Sequence, residues 1–148
     1  MSMKAMLLCC LMAVWVISGY AQQKSPKIEG AWQLVSAKSV EGKSTYVFPG
    51  DWNGSQMKLW TKNHFAFVGV LKAKQDTATF NNSGGGTYKL TGNRYDETIK
   101  YHSDKSSVDK TIKMNIEIKN DTLIQTWPVD EKGKIDPANY NIEKYIRL

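Results

Sequence analysis

Residues 81–102 read NNSGGGTYKLTGNRYDETIKYH, and two folds compete for them. Three successive glycines, Gly84 to Gly86, suggest a phosphate-cradling loop backed by the chemistry of Tyr95, Glu97, Tyr101 and His102. Such a loop joins a strand to a helix whose N-terminus meets the anion. After Gly86 no helical spacing follows: Thr87 to Thr91, then Tyr95 to His102, trade polar and apolar residues with the period of two that marks a strand. Gly92-Asn93 tolerates positive φ and suits a two-residue hairpin. The stretch therefore reads as two sheet strands, with the glycines a bulge or sharp bend where the sheet must curve.

The same alternation recurs on both sides. Ile28 to Leu34 opens the series, followed by Met57 to Lys62, His64 to Leu71, Ile112 to Lys119, Leu123 to Trp127 and Tyr140 to Leu148. Lys62-Asn63, Asn120-Asp121 and Lys132-Gly133-Lys134 punctuate the runs. Roughly eight to ten short strands joined mostly by tight turns predict an all-β domain, a single antiparallel up-and-down barrel whose closure leaves no free edge. Two segments break the rhythm. Val40 to Ser55 carries Tyr46, Phe48 and Trp52 and is expected to be an aromatic loop folding back over apolar surface; Thr126 to Asn141, with Pro128 and Pro137, is a charged connection.

Ahead of the strands, Lys4, the uncharged run Ala5 to Ile17 and the small residues around Ser18 to Ala21 have the pattern of a secretory signal peptide. The run is shorter than the roughly 20 residues a spanning helix requires. The expectation is a signal at 1–21, a barrel domain at 22–148, and an exported product, periplasmic or secreted, with no stable membrane insertion after cleavage. Both cysteines, Cys9 and Cys10, would leave with the signal, which excludes disulfides, thiolate metal sites and a cysteine nucleophile from the mature domain. The full chain has 20 basic and 14 acidic residues, a net charge of +6. The lysines alternate along strands (Lys58 and Lys62, Lys72 and Lys74, Lys113 and Lys119) and read as a solvated outer face. Nucleic acid, which requires a concentrated basic patch, is not an expected partner.

Side chains on a strand switch sides at every residue. Ile112, Met114, Ile116 and Ile118 must then face the core. Tyr95, Glu97, Ile99 and Tyr101 form the more apolar set on their strand, which carries Glu97 inward and leaves His102 outside. A carboxylate there is costly unless it is paired, hydrogen-bonded or protonated. On 64–71 either the Phe65/Phe67 set or the His64/Ala66 set could be internal, and His64 at the strand's start could reach Glu97 or a ligand. On the last strand the apolar count favours Ile142, Ile146 and Leu148 as the inner set.

Gly30-Ala31-Trp32 on the first strand, with Arg147 near the last residue, resembles the lipocalin signature. The chain is similar in particular to small exported lipocalin-like proteins of bacteria of unassigned function, through Gly30 to Trp32, Lys58 to Phe65, Gly85 to Tyr88, Tyr95 to Ile99 and Glu143 to Arg147. Tyr145 stands where that pattern has tryptophan. The resemblance implies a lipocalin-like barrel with a ligand cavity, its floor closed by Trp32 under Arg147, and Glu143, Tyr145 and Arg147 facing inward. It supplies no ligand.

Three functions are compatible with these residues. The leading one is a binding protein that holds a small hydrophobic or amphipathic ligand, with Glu97 as polar anchor, Tyr88, Tyr95, Tyr101 and His64 around it, and Trp52 and Trp127 at the pocket mouth. No catalytic residue is assigned to it. The second is a barrel enzyme of isomerase or cyclase type with Glu97 as general base. The third is a barrel filled by its own side chains that acts through its surface. Two histidines make a poor ligand set for a metal or haem, so no cofactor is expected. The oligomeric state stays open.

Overall fold

A computed structural model describes residues 24–75 and 78–148; the expected signal segment lies outside the described residues. Nine strands run in sequence: β1 (Gly30–Glu41), β2 (Ser44–Phe48), β3 (Trp52–Trp60), β4 (His64–Ala73), β5 (Phe80–Thr91), β6 (Arg94–His102), β7 (Thr111–Lys119), β8 (Thr122–Trp127) and β9 (Asn139–Arg147). Each strand from β3 to β9 pairs antiparallel with the next, and β1 pairs with both β3 and β9, which closes an eight-stranded up-and-down barrel. The ninth strand, β2, lies along the far half of β1, from Ala37 opposite Phe48 to Glu41 opposite Ser44. Val40 to Ser55 is thus a hairpin and the start of β3, not the aromatic loop expected. Tyr46 and Val47 are exposed there, while Phe48 packs on the core.

Turn chemistry distinguishes the two ends. At the end where the N-terminal segment and Arg147 lie, the links are short: Thr61 to Asn63, Gly92-Asn93 and Asn120-Asp121. Gly92 has φ +56°, and Asn120 and Asp121 have φ +48° and +59°, the left-handed geometry that lets two residues turn a twisted hairpin. The opposite end carries the long links, including 128–138, where both Asp130 and Asp136 organise the turn through carboxylate bonds to backbone N–H groups.

The glycine stretch forms part of β5 and marks a change of register. Gly85 pairs with Tyr101 but Gly86 with Ile99, so Lys100 is an extra residue on β6, a β-bulge. Only glycine fits here. A Cβ on Gly86 would collide with the Thr98 carbonyl oxygen, and one on Gly84 would lie 2.7 Å from the Phe67 ring. β4, β5 and β6 therefore approach more closely than side chains would allow.

The bulge also overturns the facing of two residues. Tyr95, Glu97 and Ile99 point inward and are buried, but beyond Lys100 the parity inverts: Tyr101 is 75% exposed and His102 turns toward the interior.

One half of the barrel is filled. Trp32, Trp60, Phe65, Tyr88, Tyr95, Ile116 and Leu123 are buried there in one apolar cluster. The Arg147 guanidinium lies 4.2 Å from the Trp32 ring centre and donates to the carbonyl oxygens of Glu29 (2.7 Å) and Lys27 (3.1 Å). The Trp32 indole donates to the Ile28 carbonyl at 2.8 Å. Gly30, at φ +123°, has room for no side chain, since a Cβ would lie 2.7 Å from an Arg147 nitrogen. The glycine, the tryptophan and the terminal arginine form one floor plate.

Trp32→Ala should cost about 3–5 kcal/mol, the usual loss for a large buried aromatic. Urea denaturation measures it, and a loss below about 1 kcal/mol would show that the floor does not depend on the indole. Gly30→Ala should destabilise as well, through backbone strain and the displaced arginine.

Candidate functional site

Above the floor the interior becomes polar. Lys58 on β3 and Glu97 on β6 meet at 2.7 Å (Nζ to Oε2), both almost wholly buried. Lys58 also donates to Gln125 Oε1 at 3.3 Å. Tyr95 donates its hydroxyl to Glu97 Oε2 at 2.9 Å and accepts from the Trp60 indole at 2.9 Å. The ammonium lies 5.1 Å from the ring centres of Trp60 and Phe65 and 5.9 Å from those of Phe67 and Tyr95, within the range of cation–π attraction. The Tyr95 hydroxyl is pushed well up by burial, reinforced by the Glu97 charge, so it stays a proton donor.

The alternation of lysines along the strands suggested that Lys58 was solvated. The fold places Gln56, Lys58 and Trp60 inside and leaves Leu59 exposed. An inward Glu97 demands a cation, and Trp60 shares a parity with Lys58. Those two facts together were the available signal.

Beyond this layer lies a cavity of about 210 Å³. Gln56, Lys58, Asn82, Glu97, Glu143 and Tyr145 give it polar groups, and Phe67, Ile99, Ile112, Met114 and Trp127 give it apolar wall. Tyr145 donates to Glu143 Oε2 at 2.8 Å and accepts from Gln56 at 3.2 Å; Asn82 donates to the other end of Gln56 at 2.7 Å. Burial is the largest influence on Glu143 and raises its carboxyl above the ordinary range, against the opposing pull of the Lys58 charge. Burial also keeps the Tyr145 hydroxyl protonated.

The structure separates the residues singled out in the sequence. Glu97 and Trp127 line the cavity, Glu97 with Tyr95 bound beneath it. Tyr88 lies lower, its ring 5.1 Å from that of Tyr95 and its hydroxyl donating to the Thr61 carbonyl at 2.6 Å. Trp52 stacks edge-on against Phe80 at 5.4 Å and, with Glu143, lines a smaller recess at the open end.

Two candidates lie outside this chamber. Tyr101 is outside, turned out by the Lys100 bulge. His64 is exposed and hydrogen-bonded to Asn63 at 2.7 Å, at the turn end and away from Glu97.

His102, read as external, lines the cavity and stacks on Phe67 at 5.5 Å. Its Nδ1 accepts from the Asp104 N–H at 2.9 Å. Glu143, Tyr145 and Arg147 occupy the inner parity, and Ile146 and Leu148 are exposed, against the apolar count of that strand. No group of three or more metal-ligating side chains occurs among the described residues.

As chemistry, the pair of carboxylates is asymmetric. Glu97 is neutralised by Lys58 and Tyr95, both on Oε2, and serves as a fixed charge partner. Glu143 has a hydroxyl donor but forms no salt bridge among the described residues.

Lys58→Met leaves Glu97 buried without its cation and should cost about 3–5 kcal/mol. The double change Lys58→Met with Glu97→Gln should recover most of that loss, because an uncharged pair escapes the desolvation penalty. Equilibrium denaturation of the three variants checks both; a single-variant loss under about 1 kcal/mol would contradict the pairing. Glu143 sets a pH dependence of its own. Its folded proton affinity exceeds that of the unfolded chain, so its contribution to stability is full below the ordinary glutamate value, about 4.3. That contribution drains away as pH rises through the raised value in the folded protein. Glu143→Gln should match the parent below about pH 4 and become progressively more stable than it at higher pH, as read from denaturation midpoints across a pH series.

Comparison of the chain with protein-family models, with curated proteins and with solved structures gives no match.

Proposed function

We propose that this chain is an exported, lipocalin-like binding protein that holds one small amphipathic molecule in the chamber above its filled floor. The observation that carries the reading is the chamber itself: about 210 Å³, polar along Gln56, Glu143 and Tyr145, apolar along Phe67, Ile112, Met114 and Trp127. Binding sites typically combine apolar walls with a few fixed polar groups in this way, although most are larger, at about 300–1,000 Å³. The occupant is therefore smaller than a fatty acid or a tetrapyrrole. The polar lining favours an amphipathic ligand over a wholly hydrophobic one.

The signal-like pattern of residues 1–21 supports export to the periplasm or the medium. The floor plate of Gly30, Trp32 and Arg147, with the strand order, supports the lipocalin-like assignment. Glu97 orders the chamber's base through Lys58 and Tyr95, and the carboxylate presented to a ligand is Glu143. The reading requires no reaction on the ligand.

Native mass spectrometry of protein purified from its own host after export tests it. The expected result is a retained small molecule, lost on denaturation, on a chain that starts at Gln22. Repeated preparations without any bound mass, together with failure to take up polarity-sensitive dyes, would favour the barrel acting through its surface.

A further inference from the structure

Charge inside the chamber does not balance. Its lining holds one ammonium, Lys58, and two carboxylates, Glu97 and Glu143. Lys58 is consumed by Glu97 at 2.7 Å and by Gln125 at 3.3 Å. His102, the other basic side chain in the lining, accepts the Asp104 N–H through Nδ1 and forms no salt bridge with Glu143. Lys38, which shares the recess at the mouth with Glu143, has its ammonium 5.7 Å from the Tyr140 ring centre and forms no salt bridge with Glu143. Glu143 is therefore the carboxyl of the lining that has no ion-pair partner of its own among the described residues.

The surroundings of that carboxylate suit a cation. Trp127, Phe67 and Tyr145 line the same chamber, and aromatic faces attract ammonium groups most strongly where water is excluded. Ile112, Ile99 and Met114 supply an apolar wall for the remainder of a ligand. The chain's overall positive charge does not oppose this, because surface lysines are screened over about 8–10 Å of salt solution.

We propose that the chamber selects a small amphipathic amine, its ammonium paired with the Glu143 carboxylate against the Trp127 and Phe67 rings and its apolar body lying toward Ile112 and Met114. The proposal rests on the reading of the chamber as a ligand site and adds the sign of the ligand's charge. Burial raises the Glu143 carboxyl above the ordinary range in the empty protein; an ammonium beside it favours the ionised form, so proton release to solvent accompanies amine binding. The groups facing Glu143 are Lys58 from β3, Glu97 and His102 from β6, Tyr145 from β9 itself and Lys38 from β1. Lys58 and Glu97 pair with each other, which leaves Glu143 as the carboxyl that an ammonium meets.

The test uses three one-ring probes of similar size and different charge: 2-phenylethylamine, 2-phenylethanol and 3-phenylpropanoate. Titration calorimetry on the exported protein should show the amine binding at least ten-fold tighter than the alcohol, and the acid not binding. Glu143→Gln should weaken the amine at least ten-fold and the alcohol several-fold less, abolishing the preference for the amine, with circular dichroism confirming that the variant is folded. In the parent protein, amine affinity should rise with pH and level off, and calorimetry in buffers of different ionisation heat should show proton release. Equal binding of amine and alcohol, or preference for the acid, would overturn the choice of a cation while leaving the chamber as a ligand site. Binding of none of the three probes, with no retained host molecule, would remove the ligand site and this proposal with it.

Discussion

A carboxylate on the inner wall of a barrel has to be neutralised, and here the neutralising group comes from three strands away. Glu97 on β6 meets Lys58 on β3 at 2.7 Å, both buried. Such a pair gains little net stability, because desolvation offsets most of the attraction, but breaking it is expensive. The consequence is geometric. With Glu97 inward, Lys58 must be inward, and so must Trp60 and Gln56 on the same face of β3; Leu59 is left outside. The pair thereby sets the facing of a strand whose own alternation suggested the opposite, and Tyr95, Trp60 and Gln125 complete its hydrogen bonds.

This charged layer divides the interior in two. Toward the N- and C-terminal strand ends, large rings fill the space, and Arg147 over Trp32 seals it. Toward the long loops the wall side chains no longer meet, and a chamber remains. Glycines 84–86 contribute on the wall between β4 and β6. They let three strands close up, and the bulge opposite them exchanges Tyr101 for His102 at the chamber's edge. A bulge of one residue therefore decides which of two aromatic side chains a ligand meets.

Glu97 and Glu143 illustrate how one residue type takes different roles in one interior. Glu97, bonded to an ammonium and a phenol, is a structural anion. Glu143, bonded to the Tyr145 phenol and the Trp127 indole and pushed by burial toward its protonated form, is a latent charge. The difference follows from which neighbours each strand register supplies: Glu97 lies opposite Tyr88 and Ile112, Glu143 opposite Ala37 and Gln125.

Local chemistry in the chain determined the strands, the two-residue turns at Gly92-Asn93 and Asn120-Asp121, the inward Glu97, and the Gly30, Trp32 and Arg147 set at the floor. These depend on period-two alternation, on residues that tolerate positive φ, and on a glycine, a tryptophan and an arginine placed at the first and last strands. Tertiary structure decided the rest. Lys58 turned inward because its partner lies 39 residues away in sequence, beyond the reach of any alternation count. Tyr101 and His102 exchanged faces because β6 gained a residue against β5, which parity cannot register. The hairpin at Val40 to Phe48 formed because the far half of β1 had an edge left uncovered by β3. Facing is a property of closed pairings, and closure of the barrel exists only once distant strands have met.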